Sequence, residues 1–168
     1  GILDILRAMG ADIELLNPRE AGAEPVADLR VRASALRGIA VPRELVPLAI
    51  DEFPAIAVAA ACAQGETLIT GAEELRVKES DRIAAIANGL AALGIAVDVL
   101  PDGLRIQGGQ FRGGVVESHG DHRIAMAFSL AALRADGTVQ IRDCVNVGTS
   151  FPGYVDLMCG LGLGIRAS

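Results

Sequence analysis

Tryptophan is absent from these 168 residues, and aromatic side chains make up only 3% of them. A core of stacked rings is therefore excluded. The interior must be assembled from Ala, Leu, Ile and Val, and a 51% apolar content suffices to bury a substantial one. Long apolar runs are also missing: the longest, Ala55 to Ala63, is about half of the roughly 20 residues that a bilayer crossing requires. No basic stretch followed by an apolar one opens the chain, so it reads as soluble and unexported, with no membrane partner. Cations are the minority charge, 15 Lys and Arg against 21 Asp and Glu, for a formal charge of −6. That balance excludes a broad nucleic-acid face, which needs clustered Lys and Arg, so any bound anion must be met locally. Cysteine is scarce. Cys62, Cys144 and Cys159 lack CxxC or His-paired spacing and read as inert reduced thiols, which fits a cytoplasmic compartment.

What is present is repetition. Three segments share an apolar helix end, a glycine and a short strand: LRAMGADIELL around Gly10, LAALGIAVDVL around Gly94 and MCGLGLGIRAS around Gly162. The glycine stands where a helix end needs positive φ. After the first two, DLRVRASALRGIAV from Asp28 and DGLRIQGGQFRGGVV from Asp102 alternate as half-buried strands do. A second repeat begins at Asp51 and again at Asp121, each time an Ala-rich helix and then a strand opening with Gly and Thr (Gly65 and Thr67, Gly137 and Thr138), followed by a polar loop (72–82 and 144–154). The chain thus predicts a helix-strand-helix-strand-strand unit, present twice in large part, with a truncated copy in front. Helices apolar all round, such as 55–63, must be buried, so the sheets pack outward around a helical bundle. Equivalent loops then gather at one rim. The first segment, with Ile2, Ile5, Leu6 and Met9 at helical spacing and no capping residue before them, reads as the inside of a longer chain.

Two charged stretches stand at that rim. In LRVKESDRI, residues 75–83, Ser80 is expected to cap a helix running to Gly94, with Asp81 in its first turn. Arg76, Lys78 and Arg82 oppose the helix dipole at a cost of a few tenths of a kcal/mol, which a bound anion would reverse. The alternative is a solvated run with Lys78 and Arg82 paired to Glu79 and Asp81. SHGDHRIAMAFSLAAL repeats the theme with Arg123 in a first turn. Two cations at equivalent positions point to one shared anion. His119 and His122 have no evident third ligand, and no metal is expected. Asp51 and Asp121 are either simple helix caps or members of the same rim.

LRVKESDRI, GDHRIAMAFSLAAL, DEFPAIAVAAA and TSFPGY, in this order, resemble the C-terminal half of the 5-enolpyruvylshikimate-3-phosphate synthases, over essentially all 168 residues. The resemblance implies an α/β (α+β) fold of repeated βαβαββ units, an inside-out α/β barrel with helices buried and sheets outside. It implies one C-terminal domain over 1–168: an incomplete first unit at about 1–48, a second at about 49–116 and a third at about 117–168. The activity implied is transfer of the enolpyruvyl group of phosphoenolpyruvate to the 5-hydroxyl of shikimate 3-phosphate, with release of phosphate, in aromatic amino acid biosynthesis. It is the chemistry that glyphosate targets. No cofactor is implied.

Residue by residue, Asp51 matches the family's proton acceptor that also holds the shikimate 3-phosphate ring. Lys78 matches the lysine beside the reacting hydroxyl, and Glu79 the neighbouring carboxylate implicated in proton transfer. Arg82 and Arg123 match the arginines that clamp phosphoenolpyruvate. The chain departs from many members at Thr149, where they carry a lysine, and Ser150 or backbone N–H groups stand in its place. The family's Lys-Ser pair that holds the shikimate phosphate belongs to the missing N-terminal domain, so this fragment alone is expected to be inactive. Other readings are a non-catalytic anion-binding or structural module, and the sister UDP-N-acetylglucosamine enolpyruvyl transferase, whose loop differs from KESDR.

Overall fold

Gly10, Gly94 and Gly162 have φ of 95°, 83° and 93° in the computed structural model, which describes residues 1–167. They stand just beyond α1 (Ile2–Ala8), α3 (Arg82–Ala92) and α6 (Tyr154–Gly160), where only glycine reverses the chain without strain. After the first two the chain enters strands, β1 (Asp12–Ala21) and β4 (Val97–Leu100). After Gly162 the expected strand does not form among the described residues. The N–H of Leu163 turns back to Met158 and that of Ile165 to Leu163, so the segment spends its donors on local turns.

The result is a mixed α/β protein. α2 (Phe53–Cys62) is apolar on every side and accordingly buried: Phe53, Ile56, Ala57, Ala60 and Ala61 have no solvent contact. It packs against α4 (His122–Ala131) and α3, whose Ile83, Ile86, Leu90, Ile124 and Phe128 complete one continuous core. α3 and α4 approach closely at Gly89, where a Cβ would lie 2.5 Å from the Phe128 ring.

The strands form three separate sheets among the described residues. β3 (Glu66–Ile69), β5 (Gly103–Gln107) and β4 form an antiparallel sheet in the order β3-β5-β4. Residues 37–40 run parallel to the start of this sheet, with bridges Arg37 to Gln64 and Ala40 to Leu68. β6 (Arg112–Glu117) and β7 (Asp136–Arg142) pair in parallel. The same construction therefore occurs twice: a strand, a buried helix (α2 or α4) and a parallel return strand. β6 belongs by pairing with the elements after it.

β1 and β2 (Glu24–Arg32) form a hairpin of their own with Asp12 opposite Arg32. The half-buried strand expected from Asp28 is shorter and more open than its pattern implies: it begins at Glu24, ends at Arg32, and leaves Leu29 and Val31 exposed. The loops also hold more structure than expected, a 3-10 turn at Glu73–Val77 and the short α5 (Val145–Ser150). Among the described residues no helix is long and apolar enough to cross a membrane.

Candidate active site

The starts of α2, α3 and α4 come together, and their first residues hold the charged side chains in place. α3 is capped by Asp81, whose carboxylate accepts from the N–H of Ala84 at 3.0 Å. This corrects the assignment of the cap to Ser80. Ser80 is one residue too early, and its hydroxyl donates to Asp121 at 3.0 Å instead. Asp121 caps α4, its Oδ1 accepting from the N–H of Arg123 at 2.9 Å and of Ile124 at 3.4 Å. Asp51 caps nothing. It lies in the 3-10 turn Pro47–Glu52 ahead of α2, which starts without a side-chain cap and with a proline in its first turn, so the Asp51 carboxylate is left for other partners.

Those partners are the predicted cations. Arg82 donates through Nη1 to Asp51 at 3.0 Å, through Nη2 to Glu79 at 2.6 Å and through Nε to Asp121 at 2.8 Å. Its side chain has no solvent exposure. A guanidinium so buried is tolerable only because each nitrogen meets a carboxylate. Lys78 lies 3.4 Å from Asp51 and donates to Glu74. Arg123, 34% exposed, donates through Nη1 to the backbone carbonyl of Asp51 and to Glu52, each at 3.2 Å. Asp51, Lys78, Glu79, Arg82 and Arg123 are thereby drawn into one cluster. Arg76 stands apart: it donates to the carbonyls of Leu100 and Pro101 and to Asp81, fastening its loop to the β4–β5 turn.

The electrostatics follow from this wiring. Burial pushes the Asp51 carboxyl up, but the Arg82 hydrogen bond and the charges of Lys78 and Arg123 outweigh it and hold it below the ordinary carboxylate range. Asp121 behaves likewise, burial opposing and Arg82 and Ser80 prevailing. The Glu74 hydrogen bond holds Lys78 more firmly protonated than usual, reinforced by Asp51. Five carboxylates (Asp51, Glu52, Glu74, Glu79, Asp121) surround three cations, so the cluster carries no positive excess. Glu52, Glu74 and the bridging role of Asp121 had no signal in the sequence pattern, since two of the three contacts cross the fold.

Asp51 and Arg123 also line an open groove of about 330 Å³, together with Pro54, Met126, Leu130, Phe151 and Tyr154. Lys78, Glu79 and Arg82 do not line it. Thr149 and Ser150 are exposed on α5 and make no hydrogen bond to the cluster among the described residues. His119 has φ of 54°, and His122 opens α4. The described residues contain no group of three His, Cys, Asp or Glu that could hold a metal ion.

A family model described as EPSP synthase (3-phosphoshikimate 1-carboxyvinyltransferase) matches residues 1–158. A 3-phosphoshikimate 1-carboxyvinyltransferase of Methylococcus capsulatus is 65% identical over 168 residues, all of this chain and 38% of that protein. One of Nitrosococcus oceani is 63% identical over 166 residues, covering 99% of this chain and 37% of that protein. Among solved structures, an EPSP synthase from Acinetobacter baumannii superposes with a TM-score of 0.96 at 50% identity, over 99% of this chain and 40% of that one. The chain thus spans a little over a third of the length of the relatives it matches.

Proposed function

The chain belongs to the EPSP synthase family, and from that premise we propose that it is one wall of an enolpyruvyl transferase acting on phosphoenolpyruvate and shikimate 3-phosphate. The convergence of Asp51, Lys78, Glu79, Arg82 and Arg123 in one cluster carries this reading. The buried helices α2, α3 and α4, with strands around them, support the inside-out arrangement. The doubled strand, helix and parallel strand supports its division into βαβαββ units. Three free cysteines fit a cytoplasmic setting. The match to 3-phosphoshikimate transferases leaves the UDP-sugar alternative without a supporting observation.

The reaction adds the 5-hydroxyl of shikimate 3-phosphate to C2 of phosphoenolpyruvate while the methylene carbon takes a proton. It then expels phosphate as a proton leaves the new methyl group. Asp51, held below the ordinary carboxylate range by Arg82, Lys78 and Arg123, is a carboxylate at neutral pH, and loosening its bond to Arg82 raises its basicity for accepting the hydroxyl proton. Lys78, kept protonated by Glu74 and Asp51, supplies a fixed positive charge beside it, and Glu79 is the second carboxylate for proton movement. Arg123, partly exposed and lining the groove, is the most accessible of the three cations to an entering anion.

Arg82 is covered, so phosphoenolpyruvate reaches it only as Asp51 or Glu79, with side chains 44% and 52% exposed, swings away. Since the local charge shows no positive excess, the two anionic substrates require further cations from the remainder of the longer protein. The domain opposite is therefore a necessary partner. The test is phosphate release from phosphoenolpyruvate by the full-length protein. It should depend on shikimate 3-phosphate and fall by about 10²-fold or more in Arg123→Ala, the scale of losing one preorganised anion-stabilising donor. Release that ignores shikimate 3-phosphate, or survives the substitution, would sink the reading.

A further inference from the structure

Asp121 is the one carboxylate in the cluster with no solvent contact, and each of its oxygens serves a different helix. Oδ1 accepts the N–H groups of Arg123 and Ile124 at the start of α4. Oδ2 accepts Arg82 Nε at 2.8 Å and the Ser80 hydroxyl at 3.0 Å at the start of α3. Arg82's other two partners, Asp51 and Glu79, are about half exposed. The Nε bond is therefore the anchored one, and the terminal nitrogens hold exchangeable partners. A helix cap needs only the Oδ1 contacts. The second oxygen, buried against a guanidinium 39 residues away, is surplus to capping.

We propose that Asp121 is a positioning residue: by holding Arg82 through Oδ2 and the first turn that carries Arg123 through Oδ1, it sets the spacing between the two guanidinium groups. A ligand with two anionic ends needs that spacing fixed before it arrives, because misplacement by about 1 Å can cost on the order of 10²-fold in rate. The inference rests on the function proposed above and extends it, since Asp121 itself need not touch substrate.

Asn caps helices as well as Asp does, so Asp121→Asn in the full-length protein removes the charged hold on Arg82 while keeping the cap. With folding verified by circular dichroism, kcat/KM for phosphoenolpyruvate should fall about 10- to 100-fold, the scale of a misplaced contact. The KM for shikimate 3-phosphate should stay within about 2-fold, since no contact to that substrate is removed. In an Arg82→Ala background the same change should cost less than about 3-fold, because residues acting through one another are not additive. Equal losses in both backgrounds, or none in the first, would overturn the positioning role. Should Asp121→Asn fail to fold, Ser80→Ala removes only a donor to Oδ2. It should raise the KM for phosphoenolpyruvate, and an unchanged value would overturn the proposal. Wild-type protein that releases no phosphate would overturn the underlying function, and the positioning role with it.

Discussion

Among the described residues Arg82 is the largest side chain without solvent contact, and three carboxylates make its burial possible. Two of these, Asp51 and Asp121, are held below the ordinary carboxylate range, with burial opposed and outweighed by Arg82. A carboxyl depressed in the folded state adds stability above its unfolded pKa, and that stability is lost as pH falls through the folded value. The urea midpoint should therefore hold steady above about pH 4 and decline below it. Asp121→Asn should start lower and lose less over the same interval; an identical acid slope would contradict the assignment. Lys78, Arg82 and Arg123 were legible as cations with the wrong charge for their helix ends, whereas Asp51 and Glu79 were picked out only by the family resemblance. Their partners were not. The Arg82–Asp121 contact crosses 39 residues and Arg123–Glu52 crosses 71, so only tertiary packing brings them together. Ser80 and Asp81 are both good caps, and which of them serves depends on Asp121 claiming the serine hydroxyl.

Among the elements, α2, α3 and α4 do the positioning, because their N-terminal ends carry the cluster and their sides form the core. The close approach of α3 to α4 depends on Gly89 facing Phe128. Gly89→Ala should cost about 1–3 kcal/mol by overpacking, outweighing any gain in helix propensity, and should lower the Tm accordingly. An unchanged or raised Tm would show that the helices can separate freely. The helices and their glycine ends were legible from period and composition. The strands were less so: Leu29 and Val31 alternate correctly yet remain exposed, and the described residues after Gly162 have apolar character but no partner strand among the described residues. Alternation reports a potential to be half buried, whereas burial depends on what lies opposite.

At the scale of the whole molecule, the cluster is an unfinished charge arrangement. Carboxylates outnumber cations around it, the groove beside it is open, and the chain spans about 38% of its relatives. We propose that this cluster takes part in enolpyruvyl transfer once the rest of the protein closes over it. The most direct test is a single-turnover reaction of the full-length protein with phosphoenolpyruvate and shikimate 3-phosphate, quenched and read by mass spectrometry for the enolpyruvyl ether at the 5-hydroxyl. This role predicts product from the wild type, at least about 10²-fold slower product from Asp51→Ala and Arg82→Ala, and none from the 168-residue chain alone. Product formed at the wild-type rate by both variants, or no product from the wild type, would contradict it.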